Sequence, residues 1–265
     1  MNFQSNIGFT SYLEDAFKQI GATDYDVLFL YFDLRAWSVY APLFSSRNGF
    51  LQSIIQPFID RKITIIIPTF TFTDHGEFHV DKTQTHLGAM NKWFVGFNGV
   101  VRSHHPLFSF AAIGPLASML HQTGKSAFGA KSVYDLFQHT RAAFLHIGIP
   151  IQLGNTFIHY VEQICGASYR YNKVFKTDVF NLGEYIGTDY SGFVRRLNNI
   201  DDDYKASYAK VCNSLYEHKL IHEVGDSEKL LNISCYPLSQ TLDLLVDLFY
   251  KDPCIFINSN FKEYE

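Results

Sequence analysis

The chain has few cysteines and none in a paired motif. Cys165, Cys212, Cys235 and Cys254 form no C-x-x-C pair, so a zinc ribbon is not expected. Long apolar runs are also missing. No stretch approaches the ~20 consecutive apolar residues a membrane-spanning helix needs, so no membrane span is expected. The opening residues MNFQSNIGFTSYLEDAF lack a basic segment followed by an apolar stretch, so no signal peptide is expected there. Thiols are then expected to stay reduced, and the expected location is cytoplasmic. No stripe of Lys and Arg is present, and the net charge is −4. Nucleic acid needs such a stripe against its phosphates, so it is not an expected partner.

What is present is core-forming material. Hydrophobic residues make up 47% of the 265 residues, and 25 Phe and 16 Tyr lift the aromatic share to 16%. Such a composition folds to a globule. Repeats, low-complexity tracts and linkers are missing, so one domain over residues 1–265 is expected. The mild acidity is compatible with a cationic substrate without requiring one.

The pattern along the chain predicts an α/β fold with a mixed central sheet flanked by helices. SYLEDAFKQIG (residues 11–21) carries Ser11 and Glu14 in capping-box spacing and closes on a glycine, which predicts a helix. DVLFLYFD (26–33) and KITIIIP (62–68) are short apolar runs that predict buried strands. A helix is predicted between them over 48–60, with Pro57 spoiling its last turns. This order predicts a parallel pair with a crossover. Residues 69–99 turn polar and rich in histidine, and predict a long functional loop or lid. LFSFAAIG (107–114) and AAFLHIGI (142–149) predict further strands. Helices are predicted at 201–217 and 236–250, with short strands at 218–223 and 230–235.

Several clusters invite a chemical reading. TGKSAFG (123–129) ends like a phosphate-binding loop, but position 119 is Met119 where a glycine is required, and that reading is excluded. Asp74, His75, Glu77 and His79, with His86 nearby, are of metal-ligating type. Gly76 between the histidines weakens a helix, and H-E-x-x-H is missing, so a solvated loop is expected and no metal site. A metal-dependent hydrolase built on His75, His79 and His86 stays open as an alternative. RSHHPLFSFAAIGP (102–115) sets a serine and two histidines before a strand. Asp201, Asp202 and Asp203 most simply supply a helix N-terminus. In NTFIHYVEQ (155–163), Asn155 is a suitable N-cap. Thr156, His159 and Glu162 then share one helical face, with Phe157, Ile158, Val161, Ile164 and Cys165 opposite. Two readings stand: an amphipathic helix with a solvated polar face, or a hydroxyl, an imidazole and a carboxylate lined up for chemistry.

These motifs fall into one order, from DLRAW through IPTFTF, LGAMNKWF, RSHHPLFSFAAIGPLA and FGAKSVYDL to NTFIHYVEQ. In that order the chain resembles the aminoglycoside 3-N-acetyltransferase family, over nearly its whole length. The resemblance implies an α/β fold and transfer of an acetyl group from acetyl-CoA to an amine of an amino sugar, as in antibiotic resistance. It implies His159 as general base, Glu162 as its acidic partner and Thr156 as the hydroxyl beside the thioester. Arg35, Arg102, Ser103, His105 and Ser109 fall where family members line the CoA groove, with Arg35 or Arg102 suited to meet phosphate. Where the family has His-Ser-Ser, this chain has Tyr31, Phe32 and Asp33. An Asp33 facing a pyrophosphate would repel it. A non-catalytic CoA- or glycan-binding relative is the remaining alternative.

The acceptor expectation rests on charge. Residues 69–99 offer Asp74, Glu77 and Asp81, partly offset by Lys82 and Lys92, beside Phe70, Phe72, Phe78, Trp93, Phe94 and Phe97. A singly charged amino sugar, free or nucleotide-linked, is expected over a polycationic aminoglycoside.

Overall fold

VLFLYF is apolar at every position because both of its faces are covered. In the computed structural model, which describes residues 3–153, 156–196 and 208–257, this run is strand β1 (Val27–Phe32). β1 pairs in parallel with β2 (Thr64–Pro68) on one side and β6 (Ala142–Ile147) on the other. Between β1 and β2 runs α2 (Arg47–Asp60), the expected crossover. Towards one edge the sheet continues antiparallel through β5 (Phe110–Ile113) to β4 (Val101–Arg102). Towards the other it continues antiparallel through β12 (Leu231–Pro237) to β11 (His222–Asp226). The result is a seven-stranded mixed sheet.

Helices cover both faces. One core holds Phe9, Phe17, Trp37, Ile54 and Phe58, from α1 (Asn6–Gln19), a 3-10 turn at Trp37–Leu43 and α2. Met90 and Phe94 of α3 (Ala89–Val95) complete it. The other core holds Tyr134, Phe157, Val161, Leu215 and Leu245. These come from α4 (Val133–Phe137), α5 (Phe157–Cys165), α6 (Ala209–Glu217) and α7 (Leu238–Lys251).

The strand order puts a crevice beside β1. The chain leaves β1 through α2 to β2 on one side, and later returns to β6 on the other. Loops after two such strands diverge, which opens a site outside their carboxyl ends. Gly148 lets them pass closely at that point. Its φ is +68°, and a Cβ there would lie 2.3 Å from the Asp33 carbonyl oxygen.

Several expectations are corrected. α1 starts at Asn6, where the Ser5 hydroxyl accepts from the Gly8 amide, so Ser11 and Glu14 are interior and make no capping box. α2 runs past Pro57 to Asp60, because Pro57 and Phe58 are buried against the sheet. Residues 69–99 are not one loop: they contain β3 (His75–His79) and α3. The region after α5 carries no strand expectation, yet it forms β7 (Arg170–Val174), β8 (Lys176–Asn181), β9 (Glu184–Gly187) and β10 (Ser191–Arg195). These make a β10–β7 pair and a β3–β8–β9 sheet. The expected Asn155 cap and the aspartates at 201–203 lie outside the described residues, as does the start of the helix expected from 201.

Candidate active site

α5 is short because its end is set by Gly166, in the left-handed region at φ 73°. The backbone there turns back, and the Ala167 amide donates to the Glu162 carbonyl at 2.9 Å. That reversal brings Tyr169 and Arg170 up against Glu162. The Tyr169 hydroxyl donates to Glu162 Oε1 at 2.9 Å. Arg170 Nε lies 2.6 Å from Oε2, an ion pair whose N–H is not aimed along the contact. Arg170 Nη1 is held by the Phe193 carbonyl of β10.

His159 completes the group. Its Nδ1 lies 2.8 Å from Glu162 Oε2. The Glu162 side chain is 0% exposed, and that of His159 keeps 19%. Of the two readings of this helical face, the solvated one is set aside: the carboxylate is interior. Phe157, Ile158 and Val161 are buried as expected, whereas Ile164 is exposed, because the buried arc of α5 rotates to take in Glu162. Burial pushes the Glu162 carboxyl up, but the bonds from His159 and the charge of Arg170 prevail and hold it below its ordinary range. Burial lowers the His159 pKa, and its bond to Glu162 only partly offsets this. The imidazole is thus neutral at pH 7. With an ionised acceptor facing Nδ1, the proton sits on Nδ1 and Nε2 keeps its lone pair.

Thr156 caps α5 but spends no side-chain bond on the helix. Its Oγ1 lies 2.8 Å from the Tyr134 hydroxyl, which lies 3.0 Å from the Tyr31 hydroxyl. The Phe128 ring stands edge-on to His159 at 5.3 Å. His159 and Glu162 are thus bonded to each other, whereas the Thr156 side chain is bonded to Tyr134. Tyr169, Arg170, Tyr134 and Tyr31 were not anticipated. Tyr31 stood out only as a departure from the family pattern, and the others are joined to the site by chain reversals that carry no local signal.

The residues expected along the cofactor groove divide sharply. Arg102 is 6% exposed, and burial pulls its guanidinium down to about 10. Its nitrogens donate to the hydroxyls of Thr69 and Ser109 and to the carbonyls of Thr69, Val80 and Thr83. It is an internal strut, and the phosphate role given to it is corrected. Ser103 accepts from the Phe110 amide, and Ser109 donates to the Thr69 carbonyl. His105 Nε2 donates to the Ser191 carbonyl, while Nδ1 accepts from Leu107 and Phe108. Burial lowers its pKa to about 4. These three are buried and likewise consumed by the framework.

Arg35 alone of the set reaches open space. It lines a cleft of about 670 Å³ at the carboxyl end of β1, with Asp33, Ser38, Arg47, Asn91 and a floor including Phe32, Phe50, Leu51, Met90 and Ile149. Its Nε lies 2.9 and 3.0 Å from the two carboxylate oxygens of Asp33. Those bonds hold the Asp33 carboxyl below its ordinary range. The expected repulsion from Asp33 is therefore countered within the chain. An apolar floor with two arginines on its lining suits a long acyl-carrier arm that ends in phosphates.

The histidines of residues 69–99 do not converge. His75 faces Asp74, His79 bonds Glu77 and stacks on Phe180, and His86 lies over Phe72. Among the described residues, no group of three or more His, Cys, Asp or Glu could hold a metal ion. Likewise, no helix among them is long and apolar enough to cross a membrane. Phe70, Phe78 and Phe94 are core residues, and Trp93 and Phe97 pack on the core, so only Phe72 is an exposed ring.

The fold is shared with solved structures of acetyltransferases. Aminoglycoside acetyltransferase AAC(3)-IVa, as apoenzyme, is similar with a TM-score of 0.72 at 17% identity, over 98% of this chain and 94% of that one. AAC-VIa bound to sisomicin gives 0.71 at 17%, over 91% and 97%. AAC-IIIb in a binary complex with CoASH gives 0.70 at 12%, over 96% and 98%. At these identities the likeness carries the fold. A comparison with curated protein sequences gives no match. The model of the aminoglycoside 3-N-acetyltransferase family matches residues 54–242. That match spans more than half of a chain that also has the fold of these enzymes, and the chain belongs to the aminoglycoside 3-N-acetyltransferase family.

Proposed function

We propose that this acetyl-CoA-dependent acyltransferase acetylates an amino group of an amino sugar, aminoglycosides included, by direct attack with His159 as general base. The observation that carries the reading is the buried Glu162 at 2.8 Å from His159 Nδ1, which leaves Nε2 as a basic nitrogen. A protonated amine is not a nucleophile. After loss of its first proton to solvent, its nitrogen must shed a second as it forms the C–N bond. Nε2 takes that proton, Glu162 stabilises the imidazolium, and Tyr169 and Arg170 keep Glu162 in place. The proton can then pass from Nε2 to the departing sulfur. Acetyl-CoA supplies the activated acyl carbon. Arg47, with Arg35 neutralising Asp33 beside it, is the residue of the cleft suited to its phosphates, and the apolar floor to its arm. The Thr156 hydroxyl is suited to the developing oxyanion.

An acyl-enzyme on Cys165, Cys212 or Cys235 is disfavoured. Burial raises the thiol pKa of Cys165, of Cys212 to about 11 and of Cys235 to about 12, so none of the three is a ready thiolate.

The charges that act on His159 among the described residues are Glu162, Arg170 and Arg195. Glu162 is already paired with Arg170 and offers no spare carboxylate to a polycation, which favours an acceptor with few positive charges. The test is release of free thiol from acetyl-CoA against a panel of amino sugars and aminoglycosides. Acceptor-dependent release that disappears in His159→Ala supports the reading. No release with any acceptor would remove it.

A further inference from the structure

Thr156 ends a row of three hydroxyls that leads out of the core. Tyr134 is fully buried, with its ring packed by Phe29 at 5.3 Å, Phe110 at 5.5 Å and Phe157 at 5.3 Å. Its hydrogen-bond partners among the described residues are the hydroxyls of Tyr31 and Thr156. Burial drives both phenols above the ordinary tyrosine range, so both keep their protons. Each hydroxyl then has one proton to give, and a row of such groups takes one sense. A phenol is a better proton donor than an alcohol, and the alcohol oxygen is the better acceptor. This favours the sense that runs from Tyr31 through Tyr134 to Thr156. Thr156 also forgoes the usual bond from a cap residue to the amides of its own helix.

We propose that Tyr134, backed by Tyr31, is a positioning residue that donates to Thr156 Oγ1 and so turns the Thr156 proton outward, towards the acyl oxygen. Held in this way, the hydroxyl needs no reorientation when negative charge develops. A threonine without the donor behind it rotates freely and spends part of its time aimed elsewhere. The inference rests on the reading of Thr156 as an oxyanion donor.

The experiment is a double-mutant cycle of Tyr134→Phe and Thr156→Ala, read as kcat and as KM for acetyl-CoA. Thr156→Ala is expected to lower kcat by ~10²-fold, the low end for one lost oxyanion donor. Tyr134→Phe is expected to lower kcat about tenfold, a fraction of that loss, with KM within about twofold. In the Thr156→Ala background the same change should cost less than about twofold, since there is no hydroxyl left to orient. Thr156→Ser should restore the dependence on Tyr134. An unchanged kcat in Tyr134→Phe, or the same tenfold loss with Thr156 already removed, overturns the inference and leaves the acetyltransferase reading standing. Wild-type kcat in Thr156→Ala removes the oxyanion role itself, and the inference with it. If Tyr134→Phe does not fold, Tyr31→Phe takes its place. A loss that vanishes in the Thr156→Ala background then supports the relay, and a persistent or missing loss overturns it.

Discussion

His159 and Glu162 sit one turn apart on α5 and are bonded at 2.8 Å, yet the carboxylate is wholly interior while the imidazole keeps 19% of its surface. The pair is thus a buried charge with one exposed outlet. A proton arriving at Nε2 is stabilised from behind, where water cannot compete.

His159→Ala or His159→Gln should lower turnover by roughly two to four orders of magnitude, the usual worth of a positioned base. Steady-state thiol release checks this. A variant with more than half of wild-type turnover would take the base role away from His159. Glu162→Ala should also unfold the protein more readily, by about 3–5 kcal/mol in chemical denaturation, because it strands Arg170 in the interior.

The imidazole of His159 should titrate below the ordinary 6.5 when followed by histidine NMR, since burial lowers its pKa. Glu162 raises that pKa, so Glu162→Gln should move the titration lower still. A shift upward in the variant would contradict the assigned pairing.

Acid should destabilise the fold over a defined window. Burial holds His105 at about 4 and His146 at about 3, both below the unfolded value near 6.5. Between those limits the unfolded state binds more protons, so stability is full above 6.5 and falls as pH drops towards 4. At pH 5 each residue costs about 2 kcal/mol. Denaturant titrations at pH 7 and pH 5 measure the difference. Equal stability at the two values would show that these histidines are not held neutral.

Arg35 should matter through Asp33. Arg35→Ala leaves the Asp33 carboxylate uncompensated at the cleft and should raise KM for acetyl-CoA about two- to fivefold, the scale of an exposed pair. Adding Asp33→Asn should recover most of that loss. If the double variant is as poor as the single one, Arg35 contacts the co-substrate directly and its pairing with Asp33 is incidental.

The acceptor is expected to carry few charges, since Glu162 is already spent on Arg170 and residues 69–99 offer only Asp74, Glu77 and Asp81 against Lys82 and Lys92. At one salt concentration, kcat/KM should be higher for a singly charged amino sugar, free or nucleotide-linked, than for kanamycin or gentamicin. A tenfold advantage for either aminoglycoside would reverse this and mark the protein as a resistance enzyme. The aromatic part of the expectation has weakened, because Phe70, Phe78 and Phe94 are core residues.

Much was legible from local pattern alone. β1, β2 and β6 are apolar runs whose burial on two faces requires such composition, and Thr156, His159 and Glu162 share a helical face by spacing. Strands β7 to β10 were not legible, since β7 exposes four of its five residues and owes its form to pairing with β10. Nor was the fate of polar side chains. Arg102, Ser103, His105 and Ser109 read as a ligand-binding set, but buried donors and acceptors must find partners, and here they find one another and nearby backbone. Whether a polar residue faces a ligand or the framework depends on which segments the chain reversals bring beside it. The turn at Gly166 delivers Tyr169 and Arg170 to Glu162, and the return of the chain to β6 beside β1 sets Tyr31 near Tyr134. The first joins residues seven and eight apart and the second residues 103 apart, and since no regular spacing fixes either, tertiary packing decides them.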